Sequence, residues 1–313
     1  MKRAINSAAS RAKSGVTLGL FARGLAMGAA DIVPGVSGGT IALITGIYDR
    51  LISSIVAVDG DCLALLLSGR IRAVWHRVDG AFLFPLLLGI LTAIFSLASF
   101  IHWLLAVHPQ PLWAFFSGLV LASGLLLLRD EVVLNRVDRI MSFSIGVALA
   151  VAIATTPTVA SLPGLPGLFF AGAIAICAMI LPGISGSFML VLMGMYAPVL
   201  AAVRHIELTE LMVFATGCVT GLVIFSKLLD RLLRLHRMLA MAFLSGVLMG
   251  SLVAIWPWRV SVDTAASGEV STLARPVMPF DIPTPQIEMC IAAFFAGCVL
   301  VWGVQAFAQR RSV

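Results

Sequence analysis

Two short stretches, DIVPGVSGGT at 31–40 and MILPGISGSF at 179–188, interrupt long apolar runs at the same point with nearly the same residues. Proline lacks a backbone N–H and disfavours helix at the residue before it. Glycine relaxes the backbone, so a helix entering either stretch stops there. Unpaired N–H and C=O groups in hydrocarbon cost several kcal/mol each, so such a break persists only where protein or a polar cavity encloses it. The pattern predicts two helix-break hairpins held inside a membrane-embedded helical bundle.

Composition supports the membrane reading. The chain is 60% hydrophobic and 12% charged, with a mean hydropathy of +1.05, whereas a soluble domain is about 25% charged. Apolar stretches cover 15–57, 82–107, 111–128, 140–160, 168–203, 211–226, 238–256 and 287–308, and several reach the roughly 20 residues that span a bilayer. The expectation is an all-α polytopic membrane protein, one transmembrane domain over 1–313. A β-barrel would show short alternating segments instead. Residues 58–80 read as one amphipathic helix on the membrane surface, since Leu63, Leu66, Leu67, Ile71, Val74, Trp75 and Val78 recur at helical spacing. Residues 257–286, with five prolines, read as a loop. The five cysteines are scattered, without a C-x-x-C pair, and read as small membrane hydrophobes. The five histidines have no ligand spacing, and neither metal nor cofactor is expected.

Charge sets a topology. The basic N-terminus reads as a cytoplasmic start, not a removable signal. If each interrupted stretch returns to the side it entered, the inside segments 1–13, 58–80, 129–139, 227–237 and 309–313 hold 16 of the 21 Lys and Arg. The outside segments hold three, and Arg23 and Arg50 lie within the first stretch. Cytoplasmic loops carry this excess, which puts both termini inside. Three spans then separate the two breaks, so they enter from opposite faces. A shift of 148 residues superposes Gly24 on Gly172, Pro34-Gly35 on Pro182-Gly183, Ser37-Gly38 on Ser185-Gly186 and Tyr48 on Tyr196. A shift of 128 superposes FFSGLVLASG (115–124) on FLSGVLMGSL (243–252). The expectation is an inverted-topology repeat, with halves near 15–139 and 168–308 and 140–160 as a connecting span, whose two hairpins meet near the midplane. Charge counting leaves open whether each interrupted stretch is a re-entrant hairpin or two full spans.

A helix restarting after each break points bare N–H groups and a positive dipole end into it. Ser37, Gly38, Gly39 and Thr40, with Ser185, Gly186 and Ser187, thus form candidate sites for an anion such as phosphate. The same small residues also suit close helix packing. Asp31, replaced by Met179 in the repeat, is an intramembrane carboxylate. It is read as carrying a coupling proton, pairing with Arg23 or Arg50, or bracing the broken backbone. Arg23 and Arg50 also suit snorkelling to headgroups. Lys227, Asp230, Arg231, Arg234 and Arg237 share one helix face, read either as a solvated face on anionic lipid or as a funnel for a phosphate headgroup with Lys227 deepest. Leu97 stands at the position of Lys227 in the first half, so the stripe is one-sided.

The motifs DIVPGVSGGTIALITGIYDRLI and LPGISGSFMLVLMGMY, followed by FSKLLDRLL and MAFLSGVLMGSL, resemble the bacterial polyprenyl-phosphate transporter family over about residues 15–308. The resemblance implies a protein of the cytoplasmic membrane that returns undecaprenyl phosphate, the lipid carrier of cell-envelope glycan synthesis, to the cytoplasmic leaflet. Its partner would be that membrane lipid, with no nucleic acid; a homo-oligomer and a coupling proton stay open. Two rival readings also stay open. A polyprenyl-pyrophosphate phosphatase would need an Arg in or beside the Pro-Gly-x-Ser core and a close pair of acids, whereas Gly38 and Gly186 follow the serines and Asp31 is the deep acid. A channel or carrier for a small inorganic anion would use the same pocket without seeing a lipid tail.

Overall fold

The computed structural model describes residues 2–33, 36–130, 134, 136–156, 164–261 and 274–310. Pro34 and Gly35, on which the first break was placed, lie outside the described residues.

The chain is an all-helical, multi-pass membrane protein. Helix α1 (Lys2–Ile32) leads to the first break, and a short α2 (Gly38–Ile44) and α3 (Tyr48–Val56) follow it. Two surface helices come next, α4 (Gly60–Leu67) and α5 (Ile71–Arg77), then the long α6 (Gly80–Val107), α7 (Pro109–Asp130) and α8 (Val137–Thr155). The order then recurs: α9 (Gly164–Ile180), the second break, α10 (Gly186–Leu192), α11 (Tyr196–His205), the long α12 (Leu208–Leu235), α13 (Arg237–Gly250) and α14 (Ile287–Arg310). Helices α6, α7, α8 and α12 are each long and apolar enough to cross a bilayer. Their outward side chains, such as Phe95, Leu125, Ile145 and Ile224, are exposed, as a lipid-facing surface requires.

Packing repeats with the order. Helix α1 lies along α6 as α9 lies along α12, and α7 lies along α14 as α13 lies along α8. Each interface is closed by glycines against carbonyls of the facing helix. A Cβ on Gly24 would strike the Leu86 carbonyl and one on Gly172 the Phe214 carbonyl. Gly118 is set against Phe294 in the same way as Gly246 against Phe143. Lipid offers no hydrophobic drive between helices, so backbone approach over small residues is what holds such pairs.

The breaks are short and sharply bent. Helix α3 turns 119° from α2, and α11 turns 111° from α10. At seven residues each, α2 and α10 extend about 10 Å, a third of the roughly 30 Å hydrocarbon thickness.

Two peripheral elements differ from expectation. The surface segment is two helices rather than one, because Gly69 takes a left-handed φ of 72° between them. Asp59 caps α4 through the Cys62 N–H, and its carboxylate pairs with Arg77 at the end of α5 at 2.5 Å, folding the two helices together. The exposed Leu63, Leu66, Leu67, Ile71 and Trp75 keep the segment suited to a membrane surface. The 257–286 segment contains a small antiparallel pair, β1 (Arg259–Ser261) with β2 (Ala274–Pro276), and a 3-10 turn at Pro279–Asp281.

Candidate anion site at the paired helix breaks

The two breaks meet. The Ser37 hydroxyl donates to the Met179 carbonyl at 3.0 Å, the Tyr48 hydroxyl donates to the Ile180 carbonyl at 3.1 Å, and the Gly183 N–H donates to the Thr40 hydroxyl oxygen at 2.8 Å. The physical need is clear on both sides. The last carbonyls of α9 have no intrahelical partner where the helix stops, and Ser37 and Tyr48 supply hydroxyls to two of them. Ser37 and Thr40 are fully buried, so these bonds have no competing water. Gly39 is required for the approach, since a Cβ there would come within 2.8 Å of the Ile180 carbonyl oxygen. Gly183 takes a φ of 84°, and a Cβ on it would meet Ser251 Oγ at 2.7 Å.

The first motif is also bonded within itself. Ser37 caps α2 in extended geometry and accepts from the Gly39 N–H at 3.1 Å. The Gly38 N–H donates to Asp31 Oδ1 at 2.6 Å. The carboxylate of Asp31 therefore stands at the N-terminal end of α2, where a bare helix end attracts negative charge. Among the described residues Asp31 forms no ion pair with Arg23 or Arg50. Arg50 instead pairs with Asp79 at 2.6 Å and lies 4.5 Å over the Phe82 ring. Arg23 is half-buried on α1.

The second motif is buried and its hydroxyls are bonded differently. Ser185 precedes α10 in extended geometry without a side-chain cap bond. Its hydroxyl is 2.9 Å from that of Ser187, and the two have each other as partners. Met179, in place of Asp31, leaves no carboxylate on this side. Beside the break is a small cavity lined by Gly183, Ser185, Phe188, Ser251, Ala150 and Ala254.

The basic stripe lies on the outer surface of α12. Lys227, Arg231 and Arg234 are exposed, and Arg234 pairs with Asp230 at 2.9 Å. At the end of α12 a cleft of about 370 Å³ gathers Arg136, Arg139, Arg234, His236 and Arg237. Arg237 also pairs with Asp49 on α3, tying the start of α13 to the first hairpin.

The fold alone does not name a ligand; relatives narrow the class. Residues 27–272 match the family model described as undecaprenyl phosphate translocase-like. The chain belongs to that family. A Vibrio cholerae serotype O1 protein named polyprenyl-phosphate transporter is 43% identical over 301 residues, covering 94% of this chain and 97% of the relative. A Staphylococcus aureus protein of the same name is 33% identical over 276 residues, covering 80% and 93%. No solved structure matches the chain.

The sequence places Ser37, Thr40 and Asp31 at the breaks; their bonds to the Gly38 and Gly39 N–H groups and to the opposite motif come from the fold. Tyr48 has one sequence signal, its recurrence as Tyr196, and its bond to Ile180 comes from the fold. Arg259 and Ser251 gave none.

Proposed function

We propose that this chain moves undecaprenyl phosphate from the outer to the cytoplasmic leaflet of the bacterial cytoplasmic membrane, with both termini in the cytoplasm, as a transporter and not an enzyme. The observation that carries this reading is the pair of breaks joined inside the bundle, with Ser185 and Ser187 left to each other. A phosphate cannot enter hydrocarbon unaided, because burying an ion without partners is prohibitive. Two hydroxyls and the Gly186 N–H offer donors at a point enclosed by protein. The isoprenoid tail stays in lipid while the headgroup passes.

The different bonding of the two motifs supports an assignment of residues. Ser185, Gly186 and Ser187 take the phosphate in this conformation. Ser37, Gly38, Gly39 and Thr40 hold the second motif in place and keep Asp31 as an internal anion. The matching order and pairing of the halves support an inverted repeat, with α8 as the counterpart of α14. Exchange of roles between halves would expose the site to each leaflet in turn. Protonation of Asp31 would then release the Gly38 N–H for a headgroup, which is where a coupling proton would act. The arginine cleft at the end of α12, with Lys227 and Arg231 on the same helix, suits headgroup release at a cytoplasmic face.

The phosphatase reading is disfavoured because the side chains hydrogen-bonded at the breaks are Asp31, Ser37, Thr40, Tyr48, Ser185 and Ser187, none of them cationic. Proteoliposomes carrying a labelled polyprenyl phosphate test the proposal. Wild-type protein should make the outer-leaflet lipid inaccessible to a membrane-impermeant phosphatase, and S185A/S187A should slow this at least tenfold. Equal rates for the two would remove the site assignment. Release of inorganic phosphate from a polyprenyl pyrophosphate by the purified protein would replace the transporter with an enzyme. Movement of free phosphate or chloride in vesicles lacking the lipid would favour the small-anion carrier.

A further inference from the structure

Beyond α13 the chain passes Ser251, which packs on the second break, and Ile255, whose carbonyl accepts the Ser117 hydroxyl at 3.0 Å. It then reaches Arg259 at the end of the bundle opposite Arg237, since the 14 residues of α13 alone extend about 20 Å. Arg259 is held firmly. Its Nε donates to the Trp256 carbonyl at 2.9 Å, and its guanidinium carbon lies 4.5 Å over the Trp113 ring. Trp256 and Trp258 meet edge to face at 5.5 Å, and their indole N–H groups are spent on the Val277 and Pro285 carbonyls.

Among the described residues no acid answers the charge of Arg259. Its Nη2 is buried without a hydrogen-bond partner, and no carboxylate pairs with it among the described residues. Burial pushes its pKa down to about 10, so it stays a cation at neutral pH. Gln110, one turn before Trp113, and Gln286, next to Pro285, also have buried amide oxygens without partners. An amide presents donors when turned over. A buried cation without a counter-charge is costly, and a cation–π contact worth roughly 0.5–2 kcal/mol leaves the Nη2 donors unmet. The missing partner must be planar-accessible, anionic and oxygen-rich. A phosphate monoester fits, because the guanidinium fork matches two of its oxygens.

We propose that Arg259, seated on Trp113, is a docking residue for a phosphate monoester, catching the headgroup at this end of the bundle before it reaches Ser185 and Ser187. The inference rests on the transport reading above and adds a second binding point to it. Ser251 and Ala254 line the small cavity at the second break, so the Trp256–Arg259 segment is joined directly to the wall of the inner site.

Full-length protein in nanodiscs provides the test, read by intrinsic tryptophan fluorescence, since Trp113, Trp256 and Trp258 surround the site. Titrants are farnesyl phosphate, farnesol and inorganic phosphate. Wild type should bind farnesyl phosphate. R259Q should weaken that binding at least tenfold while leaving the weaker farnesol response unchanged. Competition by millimolar inorganic phosphate would show that the site takes the headgroup alone, and its lack would show that the tail is needed; R259Q decides the role of Arg259 in both cases. R259Q affinity within twofold of wild type, with S185A/S187A weakened, makes Arg259 a structural brace and overturns this inference alone. No farnesyl phosphate binding by wild type overturns the transport reading with it. If R259Q does not fold by thermal melting, R259K decides: a loss of threefold or more supports the fork, and a smaller change rejects it.

Discussion

The first and second breaks are built from almost the same residues and do opposite work. In the first, Ser37 bonds Met179 and Gly39, Thr40 bonds Gly183, and Asp31 bonds Gly38. In the second, Ser185 and Ser187 bond each other, with no further side-chain bond among the described residues. Tyr48 is buried and bonded across the interface, whereas its counterpart Tyr196 is 46% exposed. The difference teaches that a repeated motif need not be a repeated site. One copy can supply the hydroxyls that bond the other copy's backbone, and one substitution, Asp31 against Met179, decides which copy has a carboxylate at its break.

This comparison can be broken most directly at the stitching hydroxyls. Thr40→Val keeps the shape but strands the buried Gly183 N–H, and Ser37→Ala removes a cap and strands the Met179 carbonyl. Each should cost about 1–3 kcal/mol of stability, read as a lower melting temperature in detergent. Ser185→Ala should stay within about 0.5 kcal/mol of wild type while weakening phosphate-lipid binding. Equal destabilisation at Ser37 and Ser185 would make the two breaks equivalent.

A smaller contrast lies in the tyrosines. Tyr48→Phe removes one hydrogen bond to a buried carbonyl and should cost about 1 kcal/mol, and Tyr196→Phe should be neutral by the same melt. Asp31→Asn trades a charge-assisted bond for a neutral one and should cost up to about 1 kcal/mol. It should also raise binding of a phosphate lipid, because the internal anion is gone; reduced binding would mean that Asp31 holds the site together instead of competing for it.

The smallest effect is expected far from the breaks. Arg77 beside Asp59 holds the Asp59 carboxyl below the usual carboxylate range. A lowered folded-state pKa stabilises above the ordinary carboxylate value and loses that contribution as pH falls through the lowered one. The protection factor of the Cys62 amide, whose N–H donates to Asp59, should therefore fall in acid relative to the intrinsic exchange rate at each pH. R77Q should flatten that dependence without touching the breaks.

Much of the fold was legible in local chemistry. Apolar runs marked the long helices, whereas the closures of Gly24, Gly118, Gly172 and Gly246 against facing carbonyls came from the structure. The surface segment was misjudged as one helix because apolar periodicity continues through Ser68–Arg70, while the turn depends on a left-handed Gly69 and on an Asp59–Arg77 pair 18 residues apart. The site was half legible. Pro-Gly-x-Ser-Gly announces a break and its donors, but the partners of those donors lie up to 143 residues away.

By itself the sequence determined that helices must span a membrane and stop twice inside it, because hydropathy and proline act on the chain locally. Only the tertiary structure decided which break's hydroxyls bond across the interface. Hydrogen bonds between distant segments depend on where two backbones meet, and nothing in either motif alone specifies that Ser37 bonds Met179 while Ser185 bonds Ser187.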